Sequence, residues 1–115
     1  MKPTHHLLLS VFVDKDMENE EAVSKYKLIL ETLKKFLPSK NTSNHHCFKS
    51  TSYGFVGSDG PLVEQNGLFF TADVCLREKD VMQLRRNFSF ALTSVFHAAA
   101  IDQLLITPIS NKPQA

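Results

Sequence analysis

At 115 residues the chain is one domain's worth of polymer, long enough to bury a core without disulfide or metal staples. Its 43% hydrophobic and 22% charged residues match an ordinary globular protein and exclude a disordered or fibrous one. Thirteen basic residues against twelve acidic give a formal charge of +1, so no broad positive field draws in a phosphate backbone and nucleic acid is not an expected partner.

Along the chain, residues 7–13 set Leu7, Leu9, Val11 and Val13 against Leu8, Ser10 and Phe12, the period of two that defines a first strand. This run contains Ser10, is followed by Asp14, Lys15 and Asp16, and lacks a small-residue cleavage site, so it reads as a strand and not as a signal segment. No stretch approaches the ~18 consecutive apolar residues of a membrane span, and no membrane association is expected. From Asn19, taken as an N-cap, apolar residues recur at Ala22, Val23, Tyr26, Ile29, Leu30, Leu33 and Phe36 until Pro38 stops them, which predicts an amphipathic helix. Residues 39–44 are a polar loop, and 47–56, rich in Phe, Thr, Tyr and Ser, suit an edge strand.

The Gly/Pro cluster at 57–61 marks a turn; 62–64 form a short irregular strand, and Asn66-Gly67 turns the chain again. Residues 68–76 are a strand, and 79–102 a helix with Val81, Leu84, Phe88, Ala91, Leu92, Val95 and Ala99 on one stripe. On that helix Phe90, His97 and Ile101 form a second seam, a candidate contact patch. Residues 104–109 close the chain as a last strand, with Pro108 suited to an edge.

The order is β-α-β-β-α-β in a single domain, 1–115. It predicts an α+β fold of the ferredoxin-like kind, a four-stranded mixed or antiparallel sheet with two helices on one face. The other face is then uncovered, and by alternation it carries Leu8, Ser10, Phe12, Phe69, Thr71, Asp73, Cys75 and Arg77. Ser10, Phe12, Phe69, Thr71, Asp73 and Arg77 are therefore the candidate ligand-binding residues, with Lys49 and Tyr53 as further polar contributors. Asp73 is the candidate catalytic group, because a carboxylate near the centre of a sheet runs against strand propensity.

Five histidines invite a metal reading, particularly His5-His6 and the run His45-His46-Cys47. Adjacent strand residues point to opposite faces, so neither pair chelates one ion, and the two strand starts, ~10 Å apart, are too distant to share a zinc unless Glu78 assists. No metal and no cofactor are expected. Cys47 and Cys75 do not make a disulfide framework, and a reducing cytoplasm is the simplest setting.

The run "LFFTADVCLREKDVMQLRRNFSFALTSVF" resembles, in pattern, the equivalent strand and helix of 5-carboxymethyl-2-hydroxymuconate isomerase in the tautomerase superfamily. The element order and the first strand starting near residue 5 resemble that group too, so a tautomerase-like fold is the implied variant. The family's base is an N-terminal proline amine. Pro3 lies behind Met1 and Lys2, where its nitrogen is a tertiary amide without basicity, so it serves only as a stiff lead-in to the first strand. The resemblance then implies an isomerase with a replaced base, Asp73 or a histidine. Gly67-Leu68-Phe69-Phe70 with Phe12 also resembles the aromatic strands of an RNA-recognition module, although basic residues do not interleave with the rings.

The leading expectation is a small cytoplasmic homo-oligomer, joined through the open sheet face, that binds a small molecule or a protein partner and shows no identifiable catalytic centre. The isomerase and the RNA-binding module are its alternatives.

Overall fold

The computed structural model describes residues 2–55 and 60–110. Strand β1 (His5–Phe12) leads to helix α1 (Asn19–Lys34) and then to β2 (Thr42–Phe55) and β3 (Leu62–Val74). Helix α2 (Val81–Leu92) and strand β4 (Ile101–Pro108) complete the fold. The strands form one sheet in the order β2-β3-β1-β4, and every neighbouring pair is antiparallel. Both helices lie on one face of it, the ferredoxin-like α+β arrangement.

The period of two explains the core. Leu7, Leu9 and Val11 of β1 and Leu68, Phe70, Ala72 and Val74 of β3 are buried together under Ile29 and Leu33 of α1 and Leu84, Phe88 and Leu92 of α2. Glu20 and Glu21 in the first turn of α1 and Lys34 in its last complement the helix dipole. The buried Thr32 hydroxyl donates to the Leu28 carbonyl at 2.7 Å. Among the described residues, no buried side-chain polar atom lacks a partner.

Three elements depart from the sequence reading. The helix expected over 79–102 ends at Leu92, because the hydroxyls of Thr93 and Ser94 donate to the carbonyls of Phe90 and Ala91 at 2.6 and 2.8 Å and compete with the helical ladder. Phe90, His97 and Ile101 consequently share no helical face: Phe90 is on α2, His97 on the connection and Ile101 on β4. Next, Asn66-Gly67 is no turn, since β3 runs straight through it. A Cβ on Gly67 would stand 2.9 Å from the Phe69 ring, so this glycine serves a close approach and not a reversal. Finally, β2 begins at Thr42 and not at Cys47, and it does so through a register shift between Ser43 and His46 where Asn44 takes a φ of 48°. The turn expected at 57–61 falls mostly outside the described residues.

β2 and β3 are 14 and 13 residues long, against eight each for β1 and β4. β1 pairs with β3 only as far as Gly67, with one further bond from Val13 N–H to the Asn66 carbonyl at 2.9 Å. Among the described strands residues 62–65 therefore pair with β2 alone, with Lys15 Nζ 3.5 Å from the Glu64 carboxylate, and the hairpin projects from the sheet as a two-stranded arm. The radius of gyration, 15.7 Å, exceeds the ~13 Å of a compact domain this long.

Candidate functional site

The face of the sheet opposite the helices is built by strand register. Leu8 faces Thr71 and Leu105, Ser10 faces Phe69 and Gln103, and Phe69 in turn faces Phe48. The rings of Phe48 and Phe69 stack with centroids 5.4 Å apart and planes 14° from parallel. Phe12, Phe48 and Leu105 are 41%, 50% and 38% exposed, on a face that no other element covers among the described residues.

A polar corner stands beside these rings. His6 is the register partner of Asp73, and its Nδ1 lies 2.7 Å from Asp73 Oδ1. An ionised carboxylate only accepts, so the imidazole donates there through Nδ1, on a side chain 60% exposed. The Asn44 amide donates to the other carboxylate oxygen at 2.9 Å. The β2 register shift and the left-handed backbone of Asn44 are what bring that amide into reach, so local strain is spent on holding Asp73. The Asn44 hydrogen bond, then that of His6, holds the Asp73 carboxyl below the usual carboxylate range. This arrangement positions an imidazole to accept or return a proton at Nε2.

Asn44→Gly keeps the left-handed backbone and deletes the amide. Because the folded-state pKa of Asp73 lies below the unfolded value of ~3.9, its contribution to stability is present above that value and is lost as pH falls through the folded pKa. The variant is expected to move the Asp73 titration upward and to remove part of that acid dependence. Carbon-detected NMR of the side-chain carboxyl checks this; an unmoved titration would refute the Asn44 contact.

Among the sequence candidates, Ser10, Phe12, Phe69, Thr71 and Asp73 occupy this one face. Ser10 is buried and donates to Asp102 Oδ2 at 3.3 Å, across the β1/β4 bulge. Arg77 does not join them: β3 ends at Val74, so alternation no longer places it, and its Nε donates to Asp80 at 2.8 Å. Lys49 is the partner of the core residue Leu68 and turns toward the helices, where its Nζ donates to the Met17 carbonyl at 2.7 Å. Tyr53 sits on the projecting hairpin opposite Glu64, its hydroxyl 3.5 Å from that carboxylate.

The histidines disperse. His5 is buried with Nε2 at 2.8 Å from Glu78, and His45 Nδ1 is hydrogen-bonded to the Tyr26 hydroxyl. Among the described residues no cluster of three or more His, Cys, Asp or Glu side chains gathers. Both cysteines are free thiols, and burial pushes that of Cys47 up to about 11. Sequence reasoning missed Asn44 and did not single out His6 as the partner of Asp73. Asparagine's tolerance of the left-handed region was the available signal for Asn44; the pairing of His6 required the register.

The concavity on this face lined by Ser10, Phe12, Gly67 and Phe69 is about 70 Å³, far below the ~300–1,000 Å³ of ligand pockets. In one copy the face is a surface and not a pocket.

No protein-family model and no curated protein sequence matches the chain. Solved structures match it along nearly its whole length. A phage SAM lyase in complex with S-methyl-5'-thioadenosine aligns with a TM-score of 0.55 and 12% identity, over 98% of this chain and 95% of that one. The Arabidopsis thaliana protein At3g17210 aligns at 0.50 and 13%, over 98% and 99%. A Bacillus cereus protein related to NIF3 aligns at 0.50 and 11%, over 96% of this chain but 27% of its own. At such identities the likeness is one of fold. It also corrects the tautomerase resemblance: these neighbours are not tautomerases, and the strand-then-helix pattern that suggested the family is one that any β-α-β-β-α-β domain produces.

Proposed function

We propose that this chain is a cytoplasmic, homo-oligomeric small-molecule-binding protein whose copies pack through the open sheet face. The observation that carries the reading is the exposure of Phe12, Phe48 and Leu105 on a sheet face with no layer above it. A lone two-layer domain presents a largely polar second face to water, and burying the exposed half of each such side chain contributes roughly 0.7–1.5 kcal/mol. Ser10, Thr71 and Asp73 among the rings give the mixed composition of a subunit boundary.

A second copy laid on this face would enclose the His6–Asp73–Asn44 corner and turn a flat surface into a cleft, in which Ser10, Phe12, Phe69, Thr71 and Asp73 meet the ligand. The solved neighbour that holds S-methyl-5'-thioadenosine supports a small molecule as the occupant. The orientation of His6 by Asp73 favours a second reading, an enzyme in which His6 moves a proton at Nε2 of the bound molecule.

Light scattering across a wide concentration range tests the assembly. The expected result is a multiple of the 13.0 kDa subunit mass at high micromolar concentration. A mass that stays at one subunit refutes the self-association and leaves the rings as a surface for a different protein.

A further inference from the structure

On the helix side of the sheet, where β3 hands over to α2, lies a cavity of about 840 Å³. Its volume falls in the ~300–1,000 Å³ range of small-molecule pockets. Phe36 and Leu37, just beyond α1, Leu76, just beyond β3, and Leu84 of α2 form its apolar wall. Leu37 and Leu84 are buried at its back, whereas Phe36 remains 37% exposed.

The polar groups around this wall fall into two kinds. Thr4 and Asn41 are consumed by the fold, and Gln83 donates to Asn87 Oδ1 at 3.0 Å along α2. Thr4 Oγ1 donates to the Leu76 carbonyl and accepts from the Leu76 N–H, both at 3.0 Å, while Asn41 and Cys75 exchange bonds of 2.8 and 2.9 Å. These contacts make the floor rigid without using any group that a ligand needs. Lys35 and Arg77 are different. Among the described residues the Lys35 ammonium has no hydrogen-bond or ion-pair partner, and Arg77 gives only its Nε, to Asp80, leaving both terminal nitrogens unpaired. Asp80 is the one carboxylate in the lining and is already matched by Arg77, so the cavity keeps one cation in excess over an apolar wall.

We propose that this cavity is a binding site for an organic carboxylate with a flat apolar body, its ring against Phe36, Leu76 and Leu84 and its carboxylate between Arg77 and Lys35. A planar guanidinium with two free terminal nitrogens matches the two oxygens of a carboxylate. The site is on the opposite side of the sheet from Asp73 and does not depend on assembly through the open face.

Naphthoate is the probe, with naphthylmethanol as its neutral counterpart, followed by fluorescence anisotropy of the naphthalene ring. The chain has no tryptophan to compete with that signal. The expected result is saturable binding of naphthoate, weakened about tenfold by loss of the charge on the probe or by either Arg77→Glu or Lys35→Glu. Phe48→Glu, on the other face, is expected to leave naphthoate binding unchanged whatever it does to the subunit mass. Both charge variants alter exposed side chains, and their thermal unfolding verifies that they fold. Absence of saturable naphthoate binding, equal affinity for the alcohol, or indifference to both charge reversals would each overturn the site.

Discussion

Replacing Phe48 by glutamate is expected to reduce the particle to a single folded subunit of 13.0 kDa. Phe48 lies on the edge strand β2 and is half exposed, so its removal costs the monomer the stack on Phe69, about 0.5–1.5 kcal/mol, and the burial of its covered half, about 1 kcal/mol. At a subunit boundary the same change forfeits roughly 0.7–1.5 kcal/mol of burial and sets a charge in an apolar contact. In a two-fold interface each contact occurs twice, so the lost burial alone is about 1.5–3 kcal/mol, roughly tenfold to a hundredfold in the association constant, and the two stranded charges add to it. Light scattering reads the mass and circular dichroism the fold. A variant that keeps the wild-type mass at every concentration would sink the boundary on this face.

Phe70→Ala is expected to be the most damaging of the core truncations at a single aromatic position in the sheet. Phe70 is fully buried, faces Leu9 on β1 and Cys47 on β2, and packs its ring 5.9 Å from that of Tyr26 on α1. It therefore ties three strands to a helix, and none of those elements can collapse into the space without leaving another contact. The cost is about 3–5 kcal/mol, a large part of the roughly 5–15 kcal/mol that holds a domain together. Thermal unfolding should fall by about 10–20 °C. A fall of a degree or two would mean that the layers pack far more loosely at this point than the geometry indicates.

Much of the architecture was legible because alternation is a local signal. Leu7, Leu9 and Val11 against Leu8, Ser10 and Phe12 suffice to orient β1, and the same count along 68–74 places Phe69, Thr71 and Asp73 on one side without knowledge of the partner strands. The count fails where the element ends. Arg77 continues the arithmetic of β3 but not its backbone, and the alanines at 98–100 extend a helical period beyond the hydroxyls of Thr93 and Ser94 that had already ended the helix. The polar corner was hidden for another reason. Bringing Asn44 to Asp73 takes a register shift in one strand, and bringing His6 there takes the pairing of two others, and neither is written in the spacing of residues along the chain.

The projecting hairpin has a consequence for time as well as shape. A two-stranded ribbon in water is marginal by itself, and at ~3.4 Å per residue about 14 Å of this one lacks a third strand. Its amides should open and close in an excursion that leaves the rest of the sheet shut, whereas those of Leu9 and Phe70 wait for the whole domain to unfold. Hydrogen exchange would then divide β3 within its own length, fast over 62–65 and slow from Leu68 onward, so that one continuous strand belongs to two cooperative units.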